Sequence, residues 1–235
     1  YQFIEKLEKN FDSCKEEIVK NLRKVMEEVL RPENFSVSYT GERESLDVVK
    51  AQAAGIKKVL FNGQKPEPVK QAPCIKKNEA FKTSGQVQYV AQNGNFRKKG
   101  LEYTGALEIL KVILSYDYLW INLRVKGGAY GCMSGFKRNG ESFLVSYRDP
   151  HLKRTLEVYQ GVPDYIRAFE ADEREMTKYI IGTISNKDVP RTPQMQGSIS
   201  KTAYFSNVTE DMLQKERNQI LGAQKEDIQK LAALV

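Results

Sequence analysis

The chain has 235 residues, of which 40% are hydrophobic and 29% are charged, a composition typical of an ordinary globular protein. A membrane span requires about 18 consecutive apolar residues, whereas the longest comparable stretch, residues 109–114, is interrupted by Lys111. The polar N-terminus lacks the apolar segment of a secretory signal peptide. The composition therefore predicts a protein without a membrane segment or a secretory leader.

Lysine and arginine outnumber aspartate and glutamate by 37 to 30, which gives a formal net charge of +7. Such an excess suits an anionic partner, including nucleic acid. The charges are nevertheless mixed along the chain, and the densest basic runs, 76–77 and 97–99, are short. We therefore interpret them as solvated helix and loop surfaces, and we expect no nucleic-acid partner.

Three cysteines, Cys14, Cys74 and Cys132, lie far apart in the sequence. This spacing predicts neither a disulfide framework nor a zinc knuckle, and it favours a reducing compartment. Cys132 lies in an apolar stretch and is predicted to be a packed thiol. A cysteine nucleophile would need a histidine base, and the chain has only one histidine.

The first quarter of the sequence has a helical pattern. Apolar residues at spacings of three and four predict a helix over residues 2–30. Alternation of apolar and polar residues predicts a strand over 35–39, and a second helix is expected over 43–61. The prolines within residues 63–75 indicate a linker.

Beyond the linker, alternation predicts strands over 80–83 and 87–91, with a turn at Asn93-Gly94. From Thr104, which is predicted to be an N-cap, the apolar period changes to that of a helix that continues to Leu114.

Residues 119–125 are compatible with two structures. Apolar residues at odd positions suit a strand, whereas Leu119, Trp120 and Leu123 follow the helical period. We favour a helix, because the two glycines after Lys126 then form its C-cap. Lys126 would also lie in the last turn, where the helix dipole favours a cation.

Two further strands are predicted over 129–136 and 142–147, joined by a hairpin turn at Asn139-Gly140. Asp149 and Pro150 are expected to start the next helix as its N-cap and first residue. The remaining helical predictions are a bend at Gly161 and Pro163 and helices over 172–186, 194–206, 209–221 and 225–234. Strands interleaved with amphipathic helices indicate an α+β fold with a mostly antiparallel sheet and helices packed on one face.

The single histidine, His151, excludes most catalytic constellations. A catalytic zinc site requires two or three imidazoles with a carboxylate. A Ser-His-Asp triad would have to use this same histidine, and no G-x-S-x-G motif accompanies it. The glycines at 127–131 do not form a dinucleotide fingerprint, since they follow a helix and lead into a strand. His151 is interpreted as an exposed residue in a first helical turn, and this chain is expected to bind no metal.

The strongest functional signal is the segment Leu123-Arg-Val-Lys-Gly-Gly-Ala-Tyr-Gly131. It predicts a helix that ends at two glycines and a strand that opens on an aromatic residue. Such a bend can bring Arg124 and Tyr130 to one rim, where both can donate hydrogen bonds to peptide carbonyls or to an oxyanion. Glycine lets a substrate backbone approach closely. The candidate substrate-binding residues are Gly127, Gly128 and Ala129. A plain helix cap with a solvated Arg124 is the alternative.

The same segment, Arg124-Val-Lys-Gly-Gly-Ala-Tyr130-Gly, resembles the motif near the end of insulinase- and pitrilysin-type zinc metallopeptidases, in the form used by the presequence protease branch. Three further stretches are similar to that branch: Leu30-Arg-Pro-Glu-Asn34, Ser146-Tyr-Arg-Asp-Pro150 and Asp188-x-Pro190. The resemblance covers most of residues 20–235, and the glycine–tyrosine segment is its most specific part.

The resemblance implies a non-catalytic C-terminal domain over residues 31–235, with residues 1–30 as a lead-in helix or the tail of a preceding domain. In that family, four α+β domains enclose a chamber, and the N-terminal domain binds zinc through His-x-x-Glu-His and a distal Glu. The last domain contributes an Arg and a Tyr to the substrate, and Arg124 and Tyr130 match these positions. The implied function is to hold unstructured peptide substrates, while zinc and peptide hydrolysis belong to the other half.

The implied partners are the N-terminal catalytic half of the same polypeptide and peptide substrates. The fragment alone is expected to be inactive, to self-associate through apolar surface that the other half would cover, and to make no membrane contact. The expected location is the cytoplasm, or an organelle matrix in a eukaryote. The alternative function is a non-catalytic structural or protein-binding module of the same fold, and an intact Arg–Tyr pair argues against it.

Overall fold

The computed structural model describes residues 1–64 and 84–235. The chain forms two compact units, Tyr1–Glu79 with Arg191–Thr202 and Ala80–Pro190 with Ala203–Val235. The predicted strand over 80–83, most of the predicted linker and Cys74 lie outside the described residues. The predicted domain boundary after residue 30 falls within the first unit and stays a prediction.

The described N-terminal part of the first unit contains the helices α1 (Gln2–Lys9), α2 (Phe11–Val29) and α3 (Leu46–Lys58), and most of a later helix, Pro193–Phe205, also belongs to this unit. The helix predicted over residues 2–30 is confirmed with one interruption at Asn10, whose φ of −119° is not helical. The Asn10 side chain donates to the carbonyl of Lys6 at 2.8 Å, which is the local competition by which asparagine disfavours helix interiors.

The strand predicted over residues 35–39 is wrong. These residues follow a short 3-10 helix, Pro32–Asn34, and form no strand with any described residue. An extended segment becomes a strand only where a neighbour satisfies its backbone groups, and the alternating pattern cannot reveal whether such a neighbour exists. The segment before it is anchored instead by Arg31, whose buried guanidinium donates to Glu33 at 2.6 Å and to the carbonyl of Gly63 at 2.7 Å.

The second unit is built on a three-stranded antiparallel sheet. Its strands are β1 (Gln88–Asn95), β2 (Gly131–Phe136) and β3 (Glu141–Asp149), in the spatial order β1-β3-β2. The predicted hairpin between β2 and β3 is confirmed, and Gly140 in its turn has a φ of +91°. The turn predicted at Asn93-Gly94 is wrong, because both residues pair with β3 inside β1.

The helix that precedes β2 is the longest continuous element of the sheet-containing unit. Helix α4 (Ala106–Ile113) runs on through π-helical turns over Leu114–Tyr118 and Trp120–Val125. The helical prediction for residues 119–125 is therefore confirmed. Leu114, Leu119 and Leu123 are buried, and their spacings of five and four residues fit the wider π turn. The predicted N-cap role of Thr104 is wrong, since Gly105 holds that position without a side-chain cap.

The segment after β3 departs from its prediction in one respect. Asp149 is the last residue of β3, and the next helix begins at Lys153 rather than at Pro150. The remaining helices agree with the predictions, including the bend at Gly161. They are α5 (Lys153–Gln160), α6 (Val162–Arg167), α7 (Glu173–Lys187), α8 (Pro193–Phe205), α9 (Glu210–Leu221) and α10 (Lys225–Gln229), followed by a 3-10 turn over Lys230–Ala233.

The core of the second unit lies between the sheet and its helices, as expected for an α+β fold. Helix α4 packs against α7, α9, α10 and β2. Val90 of β1 and Leu144 of β3 are buried in the same apolar cluster as residues from these helices, including Ile109, Ile166 and Ile220. Among the described residues, no helix combines the length and the apolar character needed to cross a membrane.

Candidate functional site

The helix that contains Arg124 ends where the sequence predicts, and the two glycines are required there. Gly128 has a φ of +73°, a conformation that side-chain-bearing residues rarely adopt. A Cβ atom on Gly127 would lie 2.5 Å from the carbonyl oxygen of Leu123. The backbone N–H groups of Gly128 and Ala129 donate to the carbonyls of Arg124 and Leu123 at 3.1 and 2.9 Å. These bonds fix the direction in which the chain leaves the helix.

This chain reversal brings Arg124 and Tyr130 together. The Arg124 Cζ atom lies 5.5 Å from the centroid of the Tyr130 ring, within the range of a cation–π contact. Arg124 Nη1 also donates to the carbonyl of Ala129 at 3.0 Å. The Tyr130 side chain is 56% exposed, while its backbone N–H donates to the carbonyl of Tyr147 at 3.2 Å. The backbone is therefore fixed, and the phenol faces solvent.

Tyr130 is the centre of a larger group of aromatic and guanidinium side chains. The Tyr147 ring meets it edge-on at 5.1 Å, and Arg148 Cζ lies 5.7 Å from its centroid. Arg124 also lies over Trp120 at 5.9 Å. We call Trp120, Arg124, Tyr130, Tyr147 and Arg148 the Tyr130 cluster. Tyr89 on β1 extends it by stacking on Tyr147 at 5.9 Å.

The Tyr130 cluster is rich in unused hydrogen-bond donors. Within the described parts of the chain, neither Arg124 nor Arg148 forms an ion pair, and the Tyr130 hydroxyl has no hydrogen-bond partner. Only one of the five N–H donors of Arg124 is used there. Unpaired guanidinium groups beside a phenol produce a surface that favours carbonyl oxygens and negative charge.

The other candidate residues of this segment differ in their accessibility. Gly127 and Ala129 are buried, whereas Gly128 is exposed. The Ala129 carbonyl already accepts from Arg124. The predicted role of these three residues in substrate binding stays a prediction, and Gly128 is the one whose backbone an incoming peptide could approach.

The sequence pattern indicates no functional role for Trp120, Tyr147 or Arg148. Trp120 follows the apolar period of its helix in the sequence, yet it is 44% exposed at the start of the π-helical segment Trp120–Val125. Its position four residues before Arg124 was the available signal, since such residues are neighbours on a helix surface. Arg148 lies in the Ser146–Pro150 stretch, where the sequence reveals the residue types but not the backbone conformation.

Metal and thiol chemistry have little support among the residues that the structure describes. No group of three His, Cys, Asp or Glu residues that could hold a metal ion occurs in the described ranges 1–64 and 84–235. His151 is exposed, as predicted, although it lies ahead of α5 rather than in its first turn. Cys132 packs against the core, and burial raises the pKa of its thiol, so it is a weaker nucleophile than an exposed cysteine.

Comparison with known proteins identifies the family. The model of the PreP C-terminal domain matches residues 78–235, about two thirds of the chain. The chain belongs to the PreP C-terminal domain family. The matched residues include all three strands and every member of the Tyr130 cluster.

Three relatives illustrate the similarity. Protein HypA of Clostridium perfringens is 43% identical over the whole of this chain, which covers 24% of that relative. Presequence protease 1, chloroplastic/mitochondrial, of Arabidopsis thaliana is 31% identical over the whole chain, which covers 22% of it. The mitochondrial presequence protease of Saccharomyces cerevisiae is 26% identical over 98% of the chain and 24% of its own length. The chain thus spans about a quarter of the length of these relatives.

Proposed function

We propose that this chain is the C-terminal substrate-binding domain of a zinc-dependent peptidase that degrades unstructured peptides in a closed chamber. Its membership of the PreP C-terminal domain family supports this proposal, as do relatives that are named presequence proteases. The proposed partner is the N-terminal catalytic half of the same polypeptide. A reducing compartment, the cytoplasm or an organelle matrix, suits the free thiols of Cys14 and Cys132.

The observation that carries the proposal is the contact between Arg124 and Tyr130 at an exposed rim. The Arg124 guanidinium retains donors that can bind a substrate carbonyl before reaction. The Tyr130 hydroxyl can donate to the same oxygen when it becomes an oxyanion, and a preorganised donor of this kind stabilises the transition state more than the ground state. The exposed backbone of Gly128 leaves room for an extended peptide beside the pair.

The zinc of such an enzyme does not fit the described residues of this chain, which lack a ligand set. We therefore assign zinc to the N-terminal half and derive no step through it here. The purified chain should hold no stoichiometric zinc and should cleave no peptide. Metal analysis with one tightly held zinc ion per chain, or cleavage of a peptide by a homogeneous sample, would contradict this assignment.

Arg124→Ala in the full-length enzyme tests the proposal. Loss of a charged donor to the substrate should raise KM for an unstructured peptide by about tenfold or more, since hydrogen bonds to charged groups contribute about 1.5–3 kcal/mol. Zinc content should not change. Arg174→Ala is the matched control, because Arg174 is exposed on α7 and lies outside the Tyr130 cluster. If Arg124→Ala and the control have equal kinetics, the structural-module alternative gains support.

A further inference from the structure

Arg148 has the most unusual backbone in the sheet. Its φ is +49°, in the left-handed region that residues other than glycine, asparagine and aspartate rarely enter. The pairing of β1 with β3 shows why. Gln88 pairs with Asp149 and Val90 pairs with Ser146, so two residues of β3, at 147 and 148, oppose one residue of β1. This is a β-bulge, a feature that redirects side chains and is over-represented next to active sites.

A buried network holds the bulge in place. The carboxylate of Asp149 is 1% exposed and accepts from Ser146 Oγ at 2.5 Å and from Thr155 Oγ1 at 2.7 Å. It also accepts from the backbone N–H of His151 at 2.8 Å. These bonds connect Ser146, which precedes the bulge, to Asp149 at the end of β3, and they connect Asp149 to Thr155 of α5. Because Arg148 lies between Ser146 and Asp149, its surroundings impose its conformation.

The Arg148 side chain adds no polar contact that would stabilise the described fold. It is exposed, and within residues 1–64 and 84–235 it forms no hydrogen bond or ion pair. Its Cζ atom lies 5.7 Å from the centroid of the Tyr130 ring. A disfavoured conformation that is enforced by a buried network, and that serves an exposed side chain, is characteristic of functional sites.

We infer that Arg148 is a positioning residue for Tyr130, aimed at the phenol ring by the bulge and the Asp149 network. This inference rests on the proposed function of Tyr130. The guanidinium restrains the exposed ring by a cation–π contact. Together with Arg124 it surrounds the phenol with two positive charges, which favours negative charge on a carbonyl oxygen that accepts from the hydroxyl.

Arg148→Asn in the full-length enzyme is the sharpest test, because asparagine tolerates the left-handed conformation but has no charge. We expect kcat to fall about three- to thirtyfold, the range of a cation–π contact, with KM and zinc content unchanged. Arg148→Lys should recover part of kcat, because it keeps the charge. Arg148→Gly should lose as much kcat as Arg148→Asn while thermal stability does not fall, since glycine relieves the strain.

A double-mutant cycle with Tyr130→Phe separates this inference from the proposed function. If Arg148 acts through the hydroxyl, Arg148→Asn should cost less than about twofold in the Tyr130→Phe background. If Tyr130→Phe alone leaves kcat near normal, the proposed function is wrong. If Tyr130→Phe impairs kcat but Arg148→Asn has no effect, raises only KM, or has the same effect in both backgrounds, the positioning role alone is wrong.

Discussion

At the scale of single residues, the network around Asp149 explains how an exposed site is tied to the core. Thr155→Val keeps the side-chain shape but removes one donor to a buried carboxylate. We expect the free energy of unfolding to fall by about 1.5–3 kcal/mol, the contribution of one hydrogen bond to a charged group, while Ser146 and His151 still donate to the carboxylate. Thr177→Val is the control, since its exposed hydroxyl bonds only to its own helix. Equal urea midpoints for the two variants would contradict a stabilising network.

Buried tyrosines make a second residue-scale prediction. Burial raises the pKa of Tyr159 and of Tyr165 to about 12. The unfolded chain loses these protons near the ordinary value of about 10, so the native state binds more protons between the two values. This contribution to stability is complete below about pH 10 and is lost as the pH rises toward 12. Urea unfolding of Tyr159→Phe should show a shallower decline over that window than the wild type, and parallel declines would contradict the assignment.

At the scale of elements, the end of the π-helical segment is the feature that places Arg124 beside Tyr130. Gly128→Ala forces a side chain into the left-handed region and should lower the free energy of unfolding by about 1–2 kcal/mol. Gly182→Ala, inside α7, should instead raise it by about 0.5–1 kcal/mol, because its Cβ would meet an atom no closer than 3.9 Å. Denaturant titrations of both variants give the comparison, and a neutral Gly128→Ala would contradict the strained turn.

Helices were predicted more reliably than strands, and the reason is physical. Helical hydrogen bonds are local, so a period of three to four apolar residues was sufficient for α2, α4 and α9. A strand needs hydrogen bonds to a partner that is distant in sequence. Residues 35–39 have the alternating pattern of a strand but form none with any described residue, and the pattern alone does not show whether such a partner exists. The prediction of a turn at Asn93-Gly94 was wrong for the same reason, since both residues continue to pair with β3.

In the candidate site, likewise, local features were predictable from the sequence and long-range features were not. The reversal between Arg124 and Tyr130 was predictable, because two glycines after a helix encode a chain reversal within a few residues. The orientation of Arg148 was not predictable, because it depends on a bulge between the pairs Gln88–Asp149 and Val90–Ser146 of two strands. Residue types alone do not indicate such long-range register.

At the scale of the whole molecule, α2 carries an apolar stripe that nothing described covers. Val19, Leu22, Met26 and Val29 recur at helical spacing and are 49–59% exposed. Contiguous exposed apolar surface drives association, so the isolated chain should self-associate. Leu22→Lys with Met26→Lys should reduce the association measured by light scattering, whereas Lys20→Gln with Lys24→Gln on the same helix should not. A wild-type chain that is strictly monomeric at high concentration would contradict this prediction.

The central claim is that the domain brings a phenol to the reacting carbonyl, and Tyr130→Phe in the full-length enzyme tests it most directly. The substitution removes one hydroxyl and keeps the ring, so the contacts with Arg124, Tyr147 and Arg148 should persist. Loss of one oxyanion donor typically costs a factor of about 100 to 1,000 in kcat. We therefore predict that kcat for an unstructured peptide falls by about a hundredfold or more, with zinc content unchanged. A kcat within a few fold of the wild type would contradict the account.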